Sequence, residues 1–309
     1  MNPGTVSRGR VKGADVAGMA LTMLSAIATL IIVLMLAIIL IDLVSGGYRK
    51  LSWEFLSKPP ESGMMGGGIF PAIFGTLLLV ISMTVIVMPV GVLTAIYLNE
   101  YAPKHALITK LIRASISNLA GVPSIVYGMF GLSFFILFIG KGIDSLIGVE
   151  LLFGQPCLLW AAATLAILTL PVAVTVTEEA LAAIPEELRL ASYALGATKW
   201  QTVWRIVFPK AMGGILTGAI LTVSRGASEV APLLFTGVAY YLPQLPLSPT
   251  SQFMHLGYHI YVMATQSPDV EATLPLQYAT ALVLLALTFM LNLIAILIRI
   301  RLRVATGAA

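Results

Sequence analysis

Between Asp15 and Asp42 the chain carries no charged residue, and the heart of that stretch, Leu30 to Ile41, reads LIIVLMLAIILI. A helix needs about 20 apolar residues to cross a hydrocarbon core ~30 Å thick. The stretch is longer than the ~7–15 apolar residues of a secretory leader, and no small-residue cleavage site follows it. We read residues 18–44 as a membrane span. Five more stretches satisfy the same test: 70–98, 116–140, 157–177, 211–240 and 277–298. They are too continuously apolar for the alternating strands of a lipid-facing barrel. A helix satisfies its own backbone hydrogen bonds in lipid, so the fold class is an all-α, polytopic membrane bundle of six transmembrane helices. Composition agrees, since 58% of residues are hydrophobic and only 10% charged. So few charges cannot cover a soluble globule of 309 residues.

Lysine and arginine orient the bundle. Arg8, Arg10 and Lys12 precede the first span, and Lys104, Lys110 and Arg113 follow the second. Arg189, Lys199, Arg205 and Lys210 follow the fourth, and Arg299, Arg301 and Arg303 follow the sixth. Against these thirteen, the other side holds four: Arg49, Lys50, Lys58 and Lys141. Both termini are therefore expected in the cytoplasm. Residues 1–17 are read as a cytoplasmic N-terminal segment, 18–298 as the six-helix transmembrane domain, and 299–309 as a cytoplasmic tail. The basic sequence pI of about 9.2 reflects membrane-flanking cations, and no nucleic-acid partner is expected. Pro71, Pro89, Pro123, Pro171 and Pro232 fall in or near spans, where neighbours or water must satisfy the freed carbonyls.

Catalytic chemistry is hard to place. The phosphate-cradling pattern G-x-x-x-x-G-K-[ST] is missing from the chain. Gly63 and Gly66–Gly68 form a cluster without the lysine such a cradle needs, and read as a turn. His255 and His259 are four apart, with Asp269 and Glu271 nearby. That spacing alone does not make a zinc site, and we read an ordinary polar outer loop. Glu178, Glu179, Glu186 and Glu187 lack a nucleophile or metal partner and read as a solvated segment with short helices. No catalytic residue and no metal ligand is assigned. The single cysteine, Cys157, excludes an intrachain disulfide.

Two features stand out. Residues 178–210 contain ELRLASYAL, then Gly196, then KWQTVWRIVF and Pro209. This is a helix–turn–helix with a partly apolar surface, which either packs under the chain's own bundle or docks another protein. The second feature is Arg225 and Glu229, deep in the fifth span. Each central charge would cost on the order of 3 kcal/mol against lipid. At four residues apart they can meet on one helix face. They either fix packing as an ion pair or line a polar pathway.

The segment RLASYALGATKWQTVWRIVFP (189–209) resembles the EAA loop of permease subunits of ATP-binding-cassette importers. Ala191 and Ser192 hold the two small positions, Gly196 matches the glycine, and Ile206, Phe208 and Pro209 match the end. The family's glutamate falls on Leu190, a departure. GGIFPAIFGTLLL (67–79), LAGVPSIVYGMFGL (119–132), EALAAIPEELRLASYALGATKWQTV (179–203) and ASEVAPLLFTG (227–237) are similar to the phosphate-importer branch of that family.

The resemblance implies the type I importer (MetI-like) permease fold and a place in a bacterial inner membrane. It implies transport of inorganic phosphate driven by ATP and Mg bound on partner subunits, with no cofactor in this chain. The implied partners are a second, PstC-like permease, two copies of an ATPase subunit docked on the EAA loop, an extracytoplasmic phosphate-binding protein, and membrane lipid. Ala191, Ser192, Gly196, Ile206 and Pro209 become the ATPase-coupling loop, and Arg225 and Glu229 the substrate pathway. The alternatives are a permease for another oxyanion (phosphonate, sulfate or molybdate), an ATP-independent secondary transporter, or a membrane-embedded enzyme. A secondary transporter would be expected to carry midplane coupling charges in two matching halves, and the sequence has one pair and no repeat.

Overall fold

The computed structural model describes residues 8–61, 66–103 and 105–305. Among the described residues six helices are long and apolar enough to cross a membrane: Gly18–Lys50, Phe70–Tyr101, Ser124–Ile147, Leu158–Ala182, Lys199–Ser228 and Val270–Arg301. The only sheet among the described residues pairs Pro60 with Gly67 and Glu61 with Gly66, antiparallel, in the segment before the second span. Gly66 and Gly67 of the glycine cluster thus supply one strand of this pair. Gly63 lies outside the described residues, as do residues 1–7 and Lys104.

The fourth span is the axis of the bundle. Small side chains let neighbours approach its backbone closely, the packing mode helices use where lipid removes the hydrophobic drive. Ala161, Ala162, Ala166 and Ala173 are all buried. A Cβ built on Gly91 of the second span would stand 2.8 Å from Ala173 Cβ. Leu79, Met83 and Val87 of the second span fill the other side of this core. The first span is the opposite case. Its side chains from Met19 to Ile41, Ala37 apart, are exposed. It meets the rest of the chain at its far end, where Gly46 and Gly47 lie against Tyr278 and Ala279 of the sixth span. A helix apolar all round has a lipid or protein neighbour on every side.

Three spans differ from the sequence expectation in ways that bear on the candidate sites. The third span begins at Ser124, not 116, and runs on to Ile147. Leu107–Ala120 is a separate amphipathic helix. Pro123 separates the two, because its ring disfavours helical backbone at the residue before it. The fourth helix extends to Ala182, so Glu178 and Glu179 belong to its last turns rather than to a solvated loop. The fifth helix starts at Lys199 and ends at Ser228, where the sequence suggests 211–240. Pro209 sits inside it without breaking it. A π-type turn over Val203–Val207 precedes the proline, and such widened turns absorb a residue that cannot donate.

At the end opposite the 178–210 segment, Asp144 organises the connection to the fourth span. Its buried carboxylate accepts from the backbone N–H of Leu152 (3.0 Å), Phe153 (2.8 Å) and Gly154 (2.7 Å). Trp160 Nε1 donates to Phe153 O at 2.6 Å.

Candidate functional site

The first candidate site is a helix break. The fifth helix ends at Ser228, and Glu229 is extended (φ −79°, ψ 132°). The chain turns through Val230 and Ala231 and makes one short helix, Leu233–Thr236. Neighbours show how deep the break lies. Gly226 faces Met83, halfway along Phe70–Ile96, and Gly128 of the third span packs on Pro232. Irregular backbone at mid-span is tolerated only where protein buries it or water reaches it. Arg225 and Glu229 flank this break. Arg225 Nε lies 3.8 Å from Glu229 Oε1, with the arginine side chain 42% exposed and the glutamate 19%. Arg225 also sits in the last turn of its helix, where the dipole favours a cation. Tyr127 of the third span donates its hydroxyl to Leu119 O at 2.7 Å. The pair does meet, but around a helix end rather than along a continuous helix face.

The second candidate site is the 178–210 segment. Glu186–Ala194 forms its first helix, with Glu186 and Glu187 in the first turn, where the helix dipole favours acids. Gly196 takes φ +81°, the left-handed region that costs glycine little. Thr198 then starts the fifth helix with a capping box: its hydroxyl accepts from Gln201 N and its N–H donates to the Gln201 side chain. Ser192 and Thr202 join the two arms through a buried hydroxyl pair at 2.8 Å. Ala191 is exposed, and Ile206 and Pro209 are half-buried on the second arm. Leu190, Leu195 and Trp200 leave the surface as large apolar side chains, Leu195 at 90% exposure. The helix–turn–helix thus presents an apolar rim and does not bury it beneath its own bundle.

A contact invisible in the sequence anchors this segment. Arg189 donates from Nη2 to Glu100 Oε1 at 2.7 Å, from Nη1 to Ile184 O at 2.7 Å and from Nη2 to Leu181 O at 3.0 Å. Its side chain is 14% exposed and that of Glu100 5%. Nearby, Arg113 Nη1 lies 3.0 Å from Glu178 and Arg113 Nη2 donates to Leu98 O at 3.0 Å.

The histidines do not occupy a polar outer loop. His255 and His259 are buried, on and just before the helix Leu256–Thr265. Burial pushes both imidazoles down to about 4, so both are neutral at pH 7. Among the described residues no group of three or more His, Cys, Asp or Glu is placed to hold a metal ion.

The described residues thus form a six-span bundle with a broken fifth helix and an exposed helix–turn–helix on one end. Residues 88–304 match the family described as binding-protein-dependent transport system inner membrane component, and the chain belongs to it. It is similar to the probable ABC transporter permease protein YqgI of Bacillus subtilis, 35% identical over 77% of this chain and 82% of that protein. It is also similar to the phosphate transport system permease protein PstA 1 of Mycobacterium tuberculosis (39% identical, 54% of this chain, 50% of that protein). PstA of Pasteurella multocida is 36% identical over 65% of this chain and 66% of that protein. In fold it resembles a chain of a bacterial alginate ABC transporter, with TM-score 0.62, 18% identity, and 93% and 94% of the two chains covered. A chain of the MetNI methionine ABC transporter gives TM-score 0.53 at 20% identity, covering 76% of this chain and 94% of that one. The chain is thus an ABC importer permease of the type I fold, multi-pass in the inner membrane.

Proposed function

We propose that this chain is one of two permeases of an ATP-driven importer for inorganic phosphate. The observation that carries the reading is Arg225, a half-exposed guanidinium at a mid-span helix break, in a chain with PstA relatives. An anion leaving water needs a positive group to offset its desolvation. Glu229 screens that group and competes for its donors, so the ion can leave. The open face of Arg225 and the uncovered first span fit a PstC-like second permease, with the pathway between the two chains.

The remaining roles follow from the same reading. The 178–210 segment faces the cytoplasm, as do both termini, on the charge split of thirteen to four. Leu190, Leu195 and Trp200 dock one of two ATPase subunits, which bind ATP and Mg. An extracytoplasmic phosphate-binding protein delivers substrate to the other side. Purification of this chain from its native membrane tests the assembly: an ATPase subunit and a second permease should come with it in stoichiometric amount. Recovery of the chain alone, active in transport, would favour an ATP-independent transporter.

A further inference from the structure

Glu100 and Tyr101 are the last residues of the second span, and each receives a cation from the coupling segment. Arg189 comes from the arm before Gly196 and pairs with Glu100. Lys199 comes from the arm after it and sets Nζ 5.1 Å from the centre of the Tyr101 ring. Arg189 also ties the end of the fourth span, through the carbonyls of Leu181 and Ile184. One planar guanidinium thus holds three elements, and its fork geometry fixes their angles as a flexible ammonium could not.

We propose that Arg189 and Glu100 are positioning residues forming the joint through which movement of the coupling segment reaches the second span. The inference rests on the reading of 178–210 as the ATPase dock. Its physical basis is the contrast between the segment's two faces. The outer one, with Leu195 and Trp200, is exposed; the inner one is tied by a nearly buried, charge-assisted pair. A push on the outer face is therefore transmitted rather than absorbed. The receiving element is a single run of helix, Phe70–Tyr101. Along it, Met83 lies roughly 25 Å from Glu100 at 1.5 Å per residue, and Met83 faces Gly226 beside Arg225. The joint is thus connected through packed helix to the break in the fifth span.

Arg189→Lys, Glu100→Gln and a cysteine pair at both positions test this in the full complex, in proteoliposomes and a Cys157→Ser background. ATPase recovery, ATP hydrolysis and substrate uptake are read together. ATPase recovery should match wild type and hydrolysis should stay within about twofold, while uptake falls at least tenfold. The two rates would then separate, which a purely structural role would not produce. A short bifunctional thiol reagent bridging the cysteines should restore uptake. Wild-type coupling in both single variants would overturn the proposal. So would equal loss of hydrolysis and uptake without rescue by the bridge, or failure of both single variants to assemble. Failure of the docking reading is a different result: the wild-type chain would recover no ATPase at all.

Discussion

Arg225 and Glu229 face each other across the end of a helix: Nε stands 3.8 Å from Oε1, and the last helical residue, Ser228, lies between them. A pair along an intact helix would be held by its backbone. Here the arginine is on the helix and the glutamate on extended chain, so their separation can change when the segment after Ser228 moves. Arg225→Gln should abolish uptake while leaving the complex assembled. Glu229→Gln should impair uptake, because the anion then meets an unscreened cation. Normal transport by both would remove the pair from the pathway. Loss of assembly in both, repaired by Arg225→Met with Glu229→Leu, would identify a packing ion pair instead.

Gly196 should tolerate asparagine and reject valine. Its φ of +81° costs a β-branched residue roughly 1–3 kcal/mol, and asparagine considerably less. Beyond Gly196 and its two chain neighbours, nothing lies within 4 Å of where a Cβ would stand, so the cost is in the backbone and not in a clash. Gly196→Val should leave the chain inserted and lower ATPase recovery, with Gly196→Asn close to wild type. Equal recovery in both variants would show that the turn does not set the docking geometry.

Acid should destabilise the end of the bundle that holds the buried histidines. His255 and His259 are depressed from the ordinary 6.5 to about 4. The unfolded chain then binds more protons than the folded one between those values. The stability they contribute is fully present above about 6.5 and falls as pH drops toward 4. The slope is about 1.4 kcal/mol per pH unit for each histidine. Thermal unfolding in detergent should show this loss, and a His255→Phe, His259→Phe double variant should flatten it. An unchanged slope in the double variant would place the proton uptake elsewhere.

Orientation has its own test. Single cysteines at Ala194 and Ser248, in a background lacking Cys157, should react with a membrane-impermeant thiol reagent from opposite sides. Reaction of both from outside intact cells would contradict the charge split.

The six spans are legible in the sequence because lipid leaves a chain few options: a long apolar run must be a helix that satisfies itself. The turn at Gly196 is legible for a similar reason, since one glycine interrupts two strongly patterned arms. Depth and distance are not legible. The spacing of His255 and His259 gives a shared helix face but not whether that face meets water or core. The break after Ser228 is signalled by Pro232, yet a proline can also ride inside a helix, as Pro209 does here. Glu100 and Arg189 are 89 residues apart, and no local period links them. Only the packing of the second span against the fourth brings them together.

Uptake of labelled phosphate by proteoliposomes is the most direct measurement. They would hold the purified complex of this chain with its permease and ATPase partners, and be supplied with the cognate binding protein. Uptake should require ATP, should be competed by unlabelled phosphate and not by sulfate, molybdate or phosphonate, and should vanish with Arg225→Gln. ATP-driven uptake of one of those other oxyanions in place of phosphate, or phosphate uptake indifferent to ATP and to Arg225, would contradict the assignment.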